Sequence, residues 1–274
     1  MTERVTYVYA VARTTQDLQA AAASLTGVAD APVRLVTGTQ GDDMVLVVSA
    51  VPSEDFQEDA LKRHLEDIEW LEAVARAHHS VIEALADRTT ILPLRLATVY
   101  LDDDRARTVL DTGWDSFAER LDHLAAHIEW GVKIYVEASA GPATPAPPAA
   151  ASAPGLTPGR AYLRARKAQK SVRDDVYRAA QKAAERVEET GRAYAADRAR
   201  HRVQQGELAD ATAENVVNDA YLVPRERAEE FRHEVARAAE GLQGVRVEVT
   251  GPWAPYSFAM PPVTPGDAEE GGPS

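Results

Sequence analysis

Apolar and polar positions along this chain recur with two different periods, and the switches between them outline its elements. Val5-Thr-Tyr-Val-Tyr-Ala-Val11 is rich in β-branched and aromatic residues and reads as a first strand. Thr14 to Ala23 reads as a short helix capped by Thr14 or Thr15. Val33–Thr37 and Met44–Val51 follow as strands, and the turn chemistry of Gly41-Asp-Asp43 joins them into an antiparallel hairpin. Ser53 fits a helix N-cap, with Glu54 and Asp55 in the first turn where the helix dipole favours negative charge. The long helix behind it carries Leu61, Leu65, Ile68, Leu71, Ala75, His78, Ile82 and Leu85 at steps of three and four. Those steps make one stripe, as a helix packed on a sheet requires. Asp87 to Thr90 ends that helix. Ile91 to Tyr100 reads as an extended, mostly buried segment, because Pro93 keeps Leu92 out of helical geometry. Trp114 to Ile128 is a further amphipathic helix, and Glu129 to Glu137 a strand alternating Val132, Ile134 and Val136.

The composition then breaks. Residues 139–158 are almost wholly Ala, Pro, Gly, Ser and Thr, a linker without core-forming side chains and with a reach on the order of 60 Å. Thr157-Pro158 opens a long helix expected over about 159–204, dense in Ala, Arg, Lys, Gln and Glu. Its apolar stripe is thin, so much of it projects into water, and Gly191 marks a break or a turn. Asn218–Val223 reads as a strand and Pro224 opens the next helix, with Phe231, Val235, Ala238 and Ala239 on its buried side. Val245, Val247 and Val249 alternate with Arg246, Glu248 and Thr250 in a last strand. Gly251-Pro252 ends its pairing, and Trp253-Ala-Pro-Tyr-Ser-Phe258 forms an aromatic clasp able to fold back over the sheet it has left.

These elements define an α+β protein of two domains. The first spans 1–128, and the second, 129–262, is ferredoxin-like with a long helical, coiled-coil-like excursion. Residues 263–274 read as a disordered tail.

Composition narrows the function. The formal net charge of −13 argues against nucleic-acid binding, which needs phosphate neutralisation. No apolar run approaches the roughly 20 residues of a membrane span, and the N-terminus lacks a basic-then-apolar signal, so a cytoplasmic location is expected. Cysteine is absent, which removes disulfides, thiolate nucleophiles and Cys-based zinc sites.

Candidate chemistry is sparse. Asp102, Asp103 and Asp104 are adjacent on a helix start and do not converge on one metal. His123 and His127 stand four apart, the spacing of a two-histidine site on a helix, but no zincin glutamate follows His123. Phosphate-binding loops, nucleophile elbows and dinucleotide fingerprints are absent. No catalytic residue, metal site or cofactor is therefore assigned, and a metal-dependent enzyme is the remote alternative. Arg95, the one charge in the run Ile91–Tyr100, either snorkels or pairs at a sheet edge, or else contacts a partner.

One stretch carries a family likeness. Thr250-Gly-Pro-Trp-Ala-Pro-Tyr-Ser-Phe258 resembles the C-terminal signature of the gas vesicle protein family GvpL/GvpF. Ile91-Leu-Pro-Leu-Arg95, Glu129-Trp-Gly-Val-Lys133, Ala161-Tyr-Leu163 and Asn218–Val223 resemble further blocks of that family, in order. Leu96-Ala-Thr98 departs from the Phe-Gly-Thr of many members. The resemblance implies a non-enzymatic accessory protein of gas vesicle assembly, located with the gas vesicle. Its implied partners are the small hydrophobic shell protein and other accessory proteins, held as a chaperone or nucleation factor. A helical scaffold that bridges several partners through the segment 160–204 is the alternative. Candidate partner contacts are Leu92, Pro93, Leu94 and Arg95, and Trp253, Pro255, Tyr256 and Phe258. Core packing is the competing account of both groups.

Overall fold

A computed structural model describes residues 3–64, 66–137, 158–203 and 213–259. Residues 139–157 of the expected linker, the tail and Leu65 of the expected stripe lie outside them. The chain divides into two compact units, one of Met1–Glu129 with Pro252–Ser274, the other of Trp130–Gly251.

The first unit is built on β1 (Arg4–Arg13). Its sheet has the order β2-β3-β1-β4, with β2 at Val33–Thr37, β3 at Met44–Pro52 and β4 at Ile91–Pro93. A two-residue β5 (Val99–Tyr100) also pairs with β1, and every pairing is antiparallel. The β1–β3 register slips between Val8 and Ala10, so Tyr9 is an extra residue on β1. The slip changes the parity of the strand. Val5 and Tyr7 before it, Tyr9 within it, and Ala10 and Ala12 after it all join one core cluster.

Helix α1 (Gln16–Ser24) packs beside β2, and Thr15 Oγ1 caps it by accepting from the Leu18 N–H at 3.0 Å. The expected single helix from Ser53 is three: α2 (Ser53–Phe56), α3 (Glu58–His64) and α4 (Ile68–Ala86). Ser53 is not a cap; it is the buried first residue of α2. Asp67 caps α4 instead, accepting from the Glu69 and Trp70 N–H groups. The stripe therefore starts later than expected. Val74, His78, Val81, Ile82 and Leu85 are buried, whereas Ile68 is 79% exposed at the new helix start. Helices α5 (Asp103–Thr112) and α6 (Trp114–Leu124) complete the unit. Asp103 fastens α5 to the sheet by accepting two bonds from Arg34 (2.7 and 2.8 Å) and one from Thr6 (2.7 Å). The Arg34 guanidinium holds its carboxyl below the usual aspartate range.

The second unit runs β6 (His127–Glu137), α7 (Pro158–Tyr194), β7 (Asp197–Arg200), β8 (Ala213–Pro224), α8 (Ala228–Ala236) and β9 (Val245–Trp253). The strand order is β7-β8-β6-β9. Helix α7 ends at Tyr194 rather than near 204, and β7 follows where helix was expected. Helix-forming composition lost there to tertiary pairing. Arg198 on β7 reaches Asp219 on β8 at 2.6 Å, and that carboxylate is 5% exposed. Gly191 does not break α7. A Cβ there would lie 2.3 Å from Tyr221 Cε1, so glycine allows the buried tyrosine to pack against the helix. Strand β9 also continues through Gly251-Pro252, where an end was expected. It is the edge of its sheet, where a missing N–H is tolerated.

Candidate functional site

The first unit holds a polar pair inside its aromatic core. Tyr7 sits fully buried on β1 and His78 on α4 is 3% exposed. The Ala97 N–H donates to the Tyr7 hydroxyl at 3.1 Å. The same hydroxyl is hydrogen-bonded to His78 Nδ1, 3.0 Å away. Nε2 has no hydrogen-bond partner among the described residues. Burial lowers the His78 pKa from its ordinary value to about 4, with His79 adding to the effect. The pair is neutral at physiological pH.

The segment after Gly251 lies against this core. Ala254 joins the core cluster, and Phe258 is buried. The Tyr256 ring lies 6.4 Å from His78 and 6.2 Å from His79, and the Trp253 ring 6.0 Å from His79. One carboxylate ties the segment down. Glu129 accepts from the Ser257 N–H at 2.9 Å and the Ser257 hydroxyl at 2.6 Å. Glu129 is 7% exposed, and burial raises its pKa against the opposing pull of those two bonds. Burial pushes the Tyr256 phenol up as well.

The expected contact residues divide. Leu92 and Pro93 are buried in β4, and Leu94 is half-buried. Arg95 is exposed and makes no ion pair among the described residues. Pro255 and Phe258 are buried, whereas Trp253 is 40% and Tyr256 36% exposed. The clasp thus has anchors turned inward and two rings turned partly outward. Between β4 and β5 the chain turns at Ala97, whose φ of 60° is the left-handed region that glycine adopts without cost. Sequence reasoning had His78 within the apolar stripe but missed its link to Tyr7. It also missed Glu129, whose only signal was an acid opening an apolar strand.

The two histidines of the expected pair do not share a helix, although their rings stack 6.2 Å apart. Helix α6 ends at Leu124 and Ala126 takes a φ of 60°, so His127 begins β6 instead of sharing a helical face with His123. Among the described residues, no three His, Asp or Glu side chains form a group that could hold a metal. No helix among them is long and apolar enough to cross a membrane.

Fold and site together define a two-unit α+β protein with a partly exposed aromatic segment held on a buried carboxylate. The sequence profile of the gas vesicle synthesis protein GvpL/GvpF family matches residues 5–260, and the chain belongs to that family. It is 42% identical over 258 residues to gas vesicle protein L of Streptomyces sp. (strain CB03234), covering 94% of each chain. Its fold is similar to the crystal structure of GvpF from Anabaena sp. PCC7120, with a TM-score of 0.62 at 17% identity over 94% of this chain and 97% of that one. GvpF from Microcystis aeruginosa matches with a TM-score of 0.61 at 18% identity, over 93% and 99% of the two chains.

Proposed function

We propose that this protein acts in gas vesicle assembly by holding the small hydrophobic shell protein before it enters the wall, as a chaperone or nucleation factor. The family, whose members are gas vesicle synthesis proteins, supports the process. The second unit, β-α-β-β-α-β in chain order, we read as ferredoxin-like. The observation that carries the binding step is the pair of partly exposed rings, Trp253 and Tyr256, on a segment anchored by Phe258 and Glu129. An unassembled shell subunit offers apolar surface that aggregates in water. Rigid aromatic faces with a polar handle suit such a surface, because they contribute contact area with little loss of side-chain entropy. Leu92 and Pro93 are core residues in this reading, and Arg95 is a rim contact.

The test is co-expression with the shell protein, followed by pull-down and a solubility assay. Wild type keeps shell protein soluble and captures it. Trp253→Ala with Tyr256→Ala lowers capture at least tenfold while the circular dichroism spectrum and melting stay near wild type. Capture that survives the double substitution excludes the clasp, and unchanged aggregation of shell protein with wild type excludes the holdase itself. In that second case α7 as a scaffold for other accessory proteins becomes the leading account, since Leu163, Arg164, Arg166, Lys167 and residues 170–175 on it are exposed.

A further inference from the structure

Charge is distributed unevenly along this acidic chain. Residues 160–173 contain six Lys or Arg and no Asp or Glu. They open α7, and Arg164, Arg166, Lys167 and Lys170 are all exposed and without an ion pair among the described residues. Exposed apolar side chains flank them, Leu163 at 63% and Val172 at 50%. Every side chain described on α7 before Val176 is exposed, and the first buried one is Ala180. A solvated helix needs neither the single-sign run nor the two bare apolar groups.

The complementary surface is on the same molecule. Residues 54–72, spanning α2, α3 and the start of α4, hold eight Asp or Glu against two Lys or Arg. Glu54, Asp59, Glu66 and Glu69 are exposed, and beside them stands Ile68, the most exposed large apolar side chain described. One patch is basic with apolar centres, and the other is acidic with an apolar centre. Residues 1–129 together carry a net charge of −12, which disfavours a nucleic acid on this protein.

We propose that the basic N-terminal half of α7 docks on the acidic α2–α4 corner of a second copy of this chain. The interaction is heterologous, one surface against a different one, so a pair keeps one free basic and one free acidic surface. Repetition builds a ring or a short filament, a form suited to presenting several clasps together. The charges steer the encounter and the bare Leu163, Val172 and Ile68 supply apolar burial. This inference is independent of shell-protein capture.

The experiment is sedimentation velocity and light scattering on the full chain at about 10 to 100 µM, in about 50 mM and 500 mM salt, which changes screening severalfold. Wild type is expected to exceed monomer mass at low salt and return to monomer at high salt. Two charge-reversed proteins are compared with it. One carries Arg164→Glu, Arg166→Glu, Lys167→Glu and Lys170→Glu. The other carries Glu54→Lys, Asp59→Lys, Glu66→Lys and Glu69→Lys. Each alone should be monomeric with a wild-type circular dichroism spectrum, and an equimolar mixture should associate again. A wild type that stays monomeric at low salt overturns the proposal. So does association that persists in either reversed protein, or a mixture that stays monomeric, which would assign the basic helix to a different acidic partner.

Discussion

The segments Ile91–Tyr100 and Trp253–Phe258 look alike in sequence, both apolar and both interrupted by proline. In the structure they part. The first spends Leu92 and Pro93 on the core and leaves only Arg95 and Leu96 outward. The second buries Pro255 and Phe258 and leaves Trp253 and Tyr256 partly exposed. An apolar run beside a central strand is absorbed by the sheet, whereas a short aromatic segment at the end of an edge strand is fastened at a few points. Both meet at His78: through Tyr7, which accepts from Ala97 in the first segment, and through the ring of Tyr256 in the second.

That contrast can be broken at several points. The largest effects belong to the buried anchors. Phe258→Ala is expected to cost about 3–5 kcal/mol and Leu92→Ala about 2–5 kcal/mol in urea unfolding. They separate in function: Phe258→Ala loses shell-protein capture, whereas folded Leu92→Ala retains it. Capture lost in a folded Leu92→Ala protein would move the contact to the first segment.

Acid acts at the shared point. Between the ordinary histidine value of 6.5 and about 4, the unfolded chain binds a proton at His78 that the folded chain refuses. The stability from neutral His78 is complete above pH 6.5 and is lost as pH falls toward 4, by about 3 kcal/mol. Glu129 acts oppositely, because its raised folded pKa favours the folded state on acidification. His78→Phe should therefore flatten the loss measured by unfolding between pH 6.5 and 4. A slope equal to wild type would assign the acid sensitivity elsewhere.

Ser257→Ala deletes the hydroxyl that donates to Glu129 and keeps the N–H, and should cost about 1–2 kcal/mol. Hydrogen exchange at residues 253–258 should rise first. The smallest effect is at the turn. Ala97→Gly relieves a left-handed backbone but loosens the unfolded chain, so a gain of at most about 1 kcal/mol is expected. A loss would mean the Ala97 methyl packs.

The amino-acid sequence by itself determined most of the strands and the buried face of α4 from Val74 onward, though not where every helix begins and ends. β-branched alternation marked β2 and β3 almost to the residue, and helical steps placed His78, Ile82 and Leu85 on the buried face of α4. The motif Trp253–Phe258 marked the family. Period acts within a few residues and was legible there, but the local signals at Ser53, Gly191 and Gly251-Pro252 were overridden in the folded chain. Three features required the folded chain. Strand β7 forms from residues with no strand pattern because Asp219 offers Arg198 a buried carboxylate. Gly191 stays helical because Tyr221 fills the space beside it. Glu129 meets Ser257 across 128 residues of sequence. Such contacts depend on which distant side chains the fold brings together, and no window of sequence contains both partners.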